Sequence, residues 1–467
     1  AYATFGGMPL VTISGQKPLR GNLEGNFQLM DVIAMLRPLP KWAASISSTD
    51  GIPRSVRLAF KTAERERPGA VHLELPDDVA REDASEYEPQ KRIVLHRASP
   101  NPVALDEATE AICSARRPLL LVSSGANRKL AGSEIVSLLE RTGLYAVTTQ
   151  MGKGTVPEDH DQSLFALGIH KKDYAHAAIE SADLLITVGY DIKEYPPSVW
   201  NEKRDKRIVN VDFHAAEPDS YYAPEVELFG DIPASIRALA DRLEGKLAQQ
   251  ASFARLREAV AERLFDKDCA RCFPPTPRRI VYDVREVLDR GDVVCLDNGM
   301  YKVWFARHYR TFEENTLLLD NALATMGAGL ASAMAAKLAE PEKQVLAVVG
   351  DGGFLMNLQD LETAVRMRQD LVILVLRDDA YGMIRWKQED VGLPDFGMTY
   401  GNPDFVQLAE AFGATGLRLE EGMDLRDLLR KAFARGGVVL IDCPIDYTPN
   451  RELSEDRDAE IMALLEE

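Results

Sequence analysis

The stretch of sequence that most constrains the fold is Val345–Lys387, in which two apolar runs flank a glycine-rich turn. The runs Val345–Val349 and Leu371–Leu376 are apolar throughout, which is typical of strands buried on both faces of a parallel sheet. Gly350-Asp351-Gly352-Gly353 follows the first run. Apolar residues at helical spacing then predict an amphipathic helix between the strands: Leu358, Leu361, Ala364 and Val365. A strand-helix-strand unit of this kind predicts an α/β fold with a doubly wound parallel sheet.

Each of these two predicted strands is followed by a carboxylate, Asp351 after the first and Asp378 after the second. Because ligands bind at the carboxyl ends of neighbouring strands in open α/β sheets, we expect the two side chains to converge there. Mg²⁺ prefers oxygen ligands and shares its coordination shell with phosphates, and a helix N-terminus attracts the same anions. Either carboxylate alone is most often part of a plain turn or a solvated loop. Together they predict a site for magnesium and a diphosphate.

Length and composition limit the classes of protein that remain. With 467 residues, the chain is long enough for about three domains of ~150 residues. A net charge of −18 argues against nucleic acid or an anionic membrane as a partner. No apolar run reaches the ~18 residues of a membrane span, and the five cysteines are widely spread. We therefore expect a cytoplasmic globular protein.

We predict three α/β domains, at residues 1–88, 102–245 and 276–447, with a charged linker at 82–105. The acidic tail Arg451–Glu467 is expected to form a solvated surface helix. The predicted strands share a short apolar run that ends in Gly, Ser, Asp or Pro: Met8–Ile13, Val71–Leu75, Pro118–Val122, Tyr145–Thr148, Leu184–Val188, Ile208–Val211, Val293–Leu296, Thr316–Leu319, Val345–Val349, Leu371–Leu376 and Val438–Ile441.

Other turns that follow predicted strands are candidate binding positions. Gly125-Ala126 and Asp212 follow strands of the second domain, but no G-x-G-x-x-G opens a helix there, so they are a weak dinucleotide signal. In the third domain, the backbone amides of 297–301 follow a strand and would face the same diphosphate as Asp351. Met326, at the start of a helix rich in small residues, is by itself an ordinary core residue.

Gly350-Asp351-Gly352, followed at an interval by the turn at Asp378, resembles the thiamine-diphosphate enzyme motif, with Asp378 where that motif has Asn. In addition, the phrases PLVTISGQKP, FQLMDV, RPLPKW and RPGAVHLELPDDVA resemble the pyrimidine-binding domain of acetolactate synthases. The resemblance spans nearly the whole chain. It implies three doubly wound parallel-sheet domains, the first incomplete at its N-terminus, with the family's catalytic Glu upstream of Ala1.

The resemblance also implies thiamine diphosphate and Mg²⁺ as cofactors. The implied metal ligands are Asp351, Asp378 and the carbonyl of Ala380. Met326 would hold the cofactor bent, and Phe27 and Gln28 would border the substrate; these three are the implied catalytic positions. The residues implied to bind the cofactor are Gly299, Met300, Tyr301, Ala324, Met326, Gly350, Asp351, Gly352, Gly353, Asp378, Ala380, Tyr381, Gly382 and Met383.

The implied reaction joins two molecules of pyruvate into 2-acetolactate and CO₂. Pyruvate is favoured as acceptor because Lys387 stands where biosynthetic relatives have a Trp that selects 2-oxobutyrate. The loop Gly189–Pro196 resembles flavin-independent members, so FAD is not expected. A homodimer or homotetramer with sites at the subunit interface is implied. Two alternatives stay open: another thiamine-diphosphate-dependent 2-oxo acid decarboxylase or carboligase, and a catalytically incomplete chain that only binds the cofactor.

Overall fold

The computed structural model describes residues 1–20, 27–92, 96–168, 172–247, 252–265, 272–454 and 457–466. The chain divides into two compact units, Ala1–Ala98 with Asp320–Leu323, and Ser99–Leu319 with Ala324–Glu467. The first unit contains one parallel sheet and the second contains two. Three parallel sheets with helices between their strands confirm the predicted fold class, while the three domain boundaries remain predictions.

The first unit is built on a three-stranded parallel sheet. Its strands are β1 (Leu10–Gln16), β2 (Trp42–Ser45) and β3 (Ala70–Pro76), and its helices are α1 (Tyr2–Phe5), α2 (Val32–Leu36), α3 (Ile52–Glu64) and α4 (Asp77–Ala80), with a 3₁₀ turn at Thr49–Gly51. The strand order is β1-β3-β2. The central strand contributes Val71 and Leu73 to the core, where they pack with Ala59 and Ala63 of α3.

The second unit begins with a six-stranded sheet, here called the middle sheet. Its strands are β4 (Pro118–Val122), β5 (Tyr145–Thr148), β6 (Ser163–Ala166), β7 (Leu184–Val188), β8 (Arg207–Asp212) and β9 (Val226–Phe229). The helices around it are α5 (Pro102–Ser114), α6 (Ser124–Arg128), α7 (Gly132–Thr142), α8 (His176–Ser181), α9 (Pro197–Trp200), α10 (Ile232–Leu243) and α11 (Ala254–Leu264), with a 3₁₀ turn at Gln150–Gly152. The order β6-β5-β4-β7-β8-β9 reverses between β4 and β7, as in dinucleotide-binding folds.

The second sheet of this unit, here called the C-terminal sheet, also has six parallel strands. They are β10 (Val293–Leu296), β11 (Leu317–Leu318), β12 (Val345–Gly350), β13 (Leu371–Arg377), β14 (Thr415–Arg418) and β15 (Val438–Pro444). The helices are α12 (Pro277–Val287), α13 (Met300–His308), α14 (Ala328–Ala339), α15 (Asp351–Asn357), α16 (Asp360–Arg366), α17 (Gly382–Asp390), α18 (Phe405–Ala411) and α19 (Leu425–Arg435), with a 3₁₀ segment at Thr448–Ser454. The last helix, α20 (Asp458–Glu466), packs against α8 and α11 of the middle sheet. The order β11-β10-β12-β13-β15-β14 reverses between β10 and β12, which places the switch point there.

The central strands of the C-terminal sheet explain the apolar runs in the sequence. On β12, Leu346 and Val348 face one hydrophobic core, whereas Val345, Ala347 and Val349 face the core on the other side. A strand covered on both faces needs apolar residues at every position, so period-two alternation disappears. This packing fixes β12 and β13 side by side, with their carboxyl ends at one edge.

The middle and C-terminal sheets lie in one unit and are joined by buried polar contacts. The Glu158 carboxylate pairs with the Lys153 ammonium, and both side chains are buried. Glu158 Oε2 also accepts a hydrogen bond from the Thr311 backbone N–H at 2.9 Å. In the same way, Glu314 Oε1 accepts from the Gly132 N–H at 2.8 Å. In both contacts a glutamate side chain of one sheet's segment accepts a hydrogen bond from a backbone N–H of the other, more than 150 residues away in the sequence.

Two expectations about the elements are corrected. The sequence predicted neither β2, β6, β9 nor β14, and each of these is a four-residue strand at the edge of its sheet. The acidic tail is also not simply a solvated helix, since Ile461 of α20 is fully buried in a core of the middle sheet. Among the residues that the structure describes, no helix combines the length and apolar character needed to span a bilayer.

Candidate functional site

A pocket lies at the carboxyl edge of the C-terminal sheet, beside the switch point, where the turns after β10, β12 and β13 meet. Its empty volume is about 420 Å³. All residues predicted to bind the cofactor line it, with the exception of Ala324. Two further lining residues, Ile384 and Tyr447, were not predicted, whereas Asn298 belongs to the turn 297–301 that was predicted to face the diphosphate. The sequence therefore located this pocket, although the role of each residue is still a prediction.

Three helices begin at this pocket. Gly299 precedes α13, Gly350 precedes α15 and Tyr381 precedes α17, and none of these three N-cap residues caps its helix with a side-chain hydrogen bond. The N-terminal N–H groups of a helix lack intrahelical partners and carry partial positive charge. Their convergence on one pocket suits an anion with several oxygens, such as a diphosphate.

Glycine is required at two positions of the pocket wall because no side chain fits there. A Cβ on Gly352 would lie 2.6 Å from the Tyr400 hydroxyl oxygen, and one on Gly382 would lie 2.7 Å from Asp378 Oδ2. Both distances are shorter than real Cβ contacts. The glycines thus let the backbone at the start of α15 lie close to the Tyr400 hydroxyl and the backbone at the start of α17 lie close to the Asp378 carboxylate.

The Asp351 carboxylate is buried, with 2% exposure, and receives four hydrogen bonds. Oδ1 accepts from the Gly352 N–H and from the Tyr400 hydroxyl, both at 2.8 Å. Oδ2 accepts from the Asp379 N–H and from Asn402 Nδ2, also both at 2.8 Å. The carboxylate is consequently held in one orientation at the floor of the pocket.

Asp378 has the opposite character, because its Oδ2 is buried and has no hydrogen-bond partner among the described residues. The nearest cation, Arg385 Nη2, is 3.7 Å away, too far for a hydrogen bond. Burial, and next the charge of Asp351, raise the pKa of Asp378 to about 7, while Arg385 lowers it. A buried carboxylate oxygen without a donor is costly, and a cation would offset that cost.

These features fit a hard divalent cation. The described residues contain no group of three or more His, Cys, Asp or Glu side chains suited to a metal. The pocket instead combines two carboxylates with the carbonyl of Ala380 in its lining. Mg²⁺ is usually bound by one or two carboxylates and completes its shell with waters and phosphate oxygens, so a small protein ligand set beside an anion pocket is what it requires.

Asp297 was predicted only to offer its backbone amide to the diphosphate, yet its side chain also supports the site. Its carboxylate is fully buried, and both oxygens accept from the Gly327 N–H at 2.9 Å. Burial raises its pKa. Gly327 has a positive φ of 89° and precedes α14, so Asp297 fixes the backbone next to Met326. No signal in the sequence shows this contact, because the two residues are 30 positions apart.

The remaining predicted residues fall in different places. Met326 lines the pocket, whereas Ala324 does not. Phe27 and Gln28 belong to the first unit, where Phe27 is 78% exposed and Gln28 has a positive φ of 57°. Neither residue lines the pocket, so their role beside the substrate remains a prediction.

Comparison with known families defines the class of protein. Residues 297–443 match the model of the thiamine pyrophosphate enzyme C-terminal binding domain, and residues 105–239 match the model of the central domain of the same enzymes. The first match covers every residue that lines the pocket except Tyr447. The fold and the pocket are those of a thiamine diphosphate-dependent enzyme.

Individual relatives narrow this class. An acetolactate synthase of Bacillus subtilis is 32% identical over 459 residues, 97% of this chain and 80% of the relative. A catabolic acetolactate synthase of Raoultella terrigena is 30% identical, over 96% of this chain and 81% of the relative. A putative thiamine pyrophosphate-containing protein of Bacillus subtilis, YdaP, is 28% identical, over 95% of this chain and 77% of the relative. The chain belongs to the acetolactate synthase family.

Proposed function

We propose that the protein decarboxylates pyruvate and joins the remaining two-carbon unit to a second pyruvate, which gives 2-acetolactate and CO₂ and consumes one proton. The observation that carries this proposal is a carboxylate-lined anion pocket at the switch point of a chain that is 32% identical to an acetolactate synthase over 97% of its length. The pocket supplies a place for the cofactor, and the similarity supplies the reaction.

In this proposal Asp351, Asp378 and the Ala380 carbonyl hold Mg²⁺ against the diphosphate. The N–H groups at the starts of α13, α15 and α17 receive the remaining phosphate oxygens. Ionised Asp378 gains a partner for its buried Oδ2 when the cation binds. Thiamine diphosphate, when bound, supplies a nucleophilic carbon and takes up the electron pair released with CO₂.

The remaining roles concern the organic part of the cofactor and the substrate. Met326 supports the bent shape of the cofactor from the pocket wall, which it already lines. The main chain of Ala324 and Met326 bonds the pyrimidine, and Phe27 and Gln28 border the substrate. Pyruvate is the preferred acceptor because Lys387, an exposed residue beside Trp386, stands where biosynthetic relatives have a Trp that selects 2-oxobutyrate. Competition between pyruvate and 2-oxobutyrate tests this preference by the ratio of the two products.

We also propose that the reaction needs no flavin. The resemblance of the loop Gly189–Pro196 to flavin-independent enzymes first suggested this, and the packing of the middle sheet supports it. At the switch point of that sheet, the Gly125 N–H donates to the Gly189 carbonyl at 2.9 Å, so the turns after β4 and β7 contact each other directly. The purified protein should be colourless and active without FAD; a stoichiometric yellow chromophore whose removal abolishes activity would contradict the proposal.

A further part of the proposal is a homodimer, or a homotetramer of paired dimers, with sites at the subunit interface. It rests on the family resemblance, in which the two ends of the cofactor are held by different subunits. Mass measurement of the native protein tests the assembly. Mixed dimers of a subunit altered at Asp351 and one altered at Phe27 or Gln28 test the shared site, because they should recover activity that neither parent shows.

The reaction itself is tested by incubating the protein with ¹³C-labelled pyruvate, Mg²⁺ and thiamine diphosphate and following the products by NMR. We expect 2-acetolactate with one CO₂ per product, and no turnover by Asp351→Ala. Release of acetaldehyde without ligation would instead indicate a 2-oxo acid decarboxylase that uses the same cofactor. Tight cofactor binding without any turnover would indicate a cofactor-binding chain.

A further inference from the structure

Residues 398–402, here called the return segment, run back along the turn that follows β13. The Tyr381 N–H donates to the Met398 carbonyl at 2.9 Å, and the Tyr400 N–H donates to the Asp379 carbonyl at 3.1 Å. Ala380 and Thr399 form an antiparallel bridge between these bonds. The return segment is thus fastened by its backbone to the turn that carries Asp378 and Ala380.

Two side chains of the return segment reach beyond this turn to the first carboxylate. The Tyr400 hydroxyl donates to Asp351 Oδ1 and Asn402 Nδ2 donates to Asp351 Oδ2, both at 2.8 Å. The other two donors to Asp351 are backbone N–H groups. Tyr400 and Asn402 therefore orient the Asp351 carboxylate, because each donates a hydrogen bond to a different oxygen of it.

The same two side chains also contact the second strand end. The Tyr400 hydroxyl lies 3.4 Å from the Ala380 carbonyl oxygen, and Asn402 Nδ2 donates to Asp379 Oδ1 at 2.7 Å. Asp379 has a positive φ of 55°, which is unfavourable for a residue with a side chain, so the turn needs support from its surroundings. Tyr400 and Asn402 therefore link Asp351 to the turn of Asp378 and Ala380.

We propose that Tyr400 and Asn402 are positioning residues that orient the Asp351 carboxylate and the 378–380 turn for the cation, and so set the affinity for Mg²⁺ and the diphosphate. This inference rests on the proposed function, which makes Asp351, Asp378 and Ala380 the metal ligands. Partners that orient metal ligands without touching the metal typically contribute 10–100-fold to metal affinity. Neither residue lines the cofactor pocket, so both act through the ligands.

The test uses Tyr400→Phe and Asn402→Ala in the full chain. Mg²⁺ is titrated by calorimetry into protein that contains saturating thiamine diphosphate, and the Kd is compared with that of the unaltered protein. We expect the Kd to rise about tenfold in each variant. In the double variant we expect less than the product of the two effects, because both side chains bind one carboxylate. At saturating Mg²⁺ and cofactor, kcat should fall far less than the affinity does.

A matched control is Tyr145→Phe, which removes a tyrosine hydroxyl in the middle sheet that contacts Ser252 Oγ at 3.1 Å. This control should leave the Mg²⁺ Kd unchanged. Thermal unfolding without metal shows whether the variants fold. If Asn402→Ala does not fold, Asn402→Ser, with a hydroxyl donor on a shorter side chain, replaces it and should show an intermediate Kd.

An unchanged Mg²⁺ Kd in both Tyr400→Phe and Asn402→Ala would overturn the inference. A lower Kd in Tyr400→Phe would also overturn it, since the hydroxyl would then compete with the cation rather than orient its ligand. Asp351→Ala separates this failure from that of the proposed function, because it removes the ligand oxygens altogether. If Asp351→Ala keeps the Mg²⁺ affinity, the metal site itself is wrongly assigned; if it loses the affinity while the other variants keep it, only the positioning role is wrong.

Discussion

The carboxyl edges of the middle and C-terminal sheets make an instructive contrast, because both sheets are parallel and six-stranded and each has a switch point, between β4 and β7 and between β10 and β12. At the edge of the middle sheet, the buried Glu194 accepts from the Ser123 hydroxyl and from the Met151 N–H, each at 2.8 Å. At the edge of the C-terminal sheet, the half-buried Asp378 keeps a buried oxygen, Oδ2, without any donor among the described residues. The first carboxylate is satisfied by the chain itself, whereas the second is available to a ligand.

This contrast shows that topology alone does not make a binding site. A switch point offers a crevice, but a carboxylate and two contacting turns close it in the middle sheet. Burial raises the pKa of Glu194 and of Asp378 alike, so a perturbed pKa does not separate the two edges either. What separates the two carboxylates is whether their oxygens have donors within the protein: both oxygens of Glu194 do, and Asp378 Oδ2 has none among the described residues.

The largest effect is expected when a carboxylate is removed from the carboxyl edge of the C-terminal sheet. We expect Asp351→Ala and Asp378→Ala to weaken Mg²⁺-dependent binding of thiamine diphosphate by roughly 100-fold or more, because each removes a metal ligand. Asp378→Asn keeps an oxygen ligand and should largely retain binding. Calorimetry with Mg²⁺ present measures all three; an unaltered affinity in either alanine variant would show that the edge is not the cation site.

At the carboxyl edge of the middle sheet, the matching change is Glu194→Ala. It leaves the Ser123 hydroxyl and the Met151 N–H buried without their acceptor, so we expect a loss of about 1–3 kcal/mol in the free energy of unfolding. Urea unfolding measures this loss, and the affinity for thiamine diphosphate should not change. A loss of cofactor affinity instead of stability would mean that the two edges are not independent.

The pH dependence of metal binding sharpens the contrast further. The pKa of Asp378 is raised to about 7, so this group is protonated below that pH and must release a proton when it binds Mg²⁺. Between pH 8 and pH 6 we expect the Mg²⁺ affinity to fall by about tenfold, and Asp378→Asn should flatten this dependence. Calorimetric titrations across the range measure both. An equally steep dependence in Asp378→Asn would assign the proton to another group.

The same raised pKa has a consequence for stability without the cation. Because the folded pKa of Asp378 is above its unfolded value of about 4, its contribution to stability is fully present below pH 4 and is lost as the pH rises to about 7. Added Mg²⁺ and thiamine diphosphate should therefore raise the unfolding temperature more at pH 8 than at pH 6. An equal rise at both pH values would contradict this account.

The smallest expected effect comes from Arg385→Ala. Arg385 lowers the pKa of Asp378, so its removal should move the midpoint of the pH dependence of Mg²⁺ binding to higher pH by a few tenths of a unit. The matched control is Arg366→Ala, which removes an exposed arginine paired with Glu362 on α16. A midpoint that moves to lower pH would show that Arg385 acts mainly on the cation and not on Asp378.

The sequence determined the central strands, and the sequence together with its family resemblance located most of the residues that line the pocket. Val345–Val349 and Leu371–Leu376 were predictable because a strand buried on both faces must be apolar at every position. The carboxyl ends of such strands necessarily meet, so Asp351 and Asp378 were predictable as a pair. By contrast, β2, β9 and β14 are partly exposed and lack that apolar signature, so their pairing with a neighbour defines them more than their sequence does.

Only the tertiary structure decided which atoms support the site. Tyr400 and Asn402 hold a carboxylate about 50 residues earlier in the chain, and Asp297 holds the N–H of Gly327, 30 residues later. The burial of Ile461 against the middle sheet likewise joins segments that are far apart in the sequence. A hydrogen bond or an apolar contact between distant segments leaves no period or spacing in the sequence, because its geometry exists only once both segments are packed.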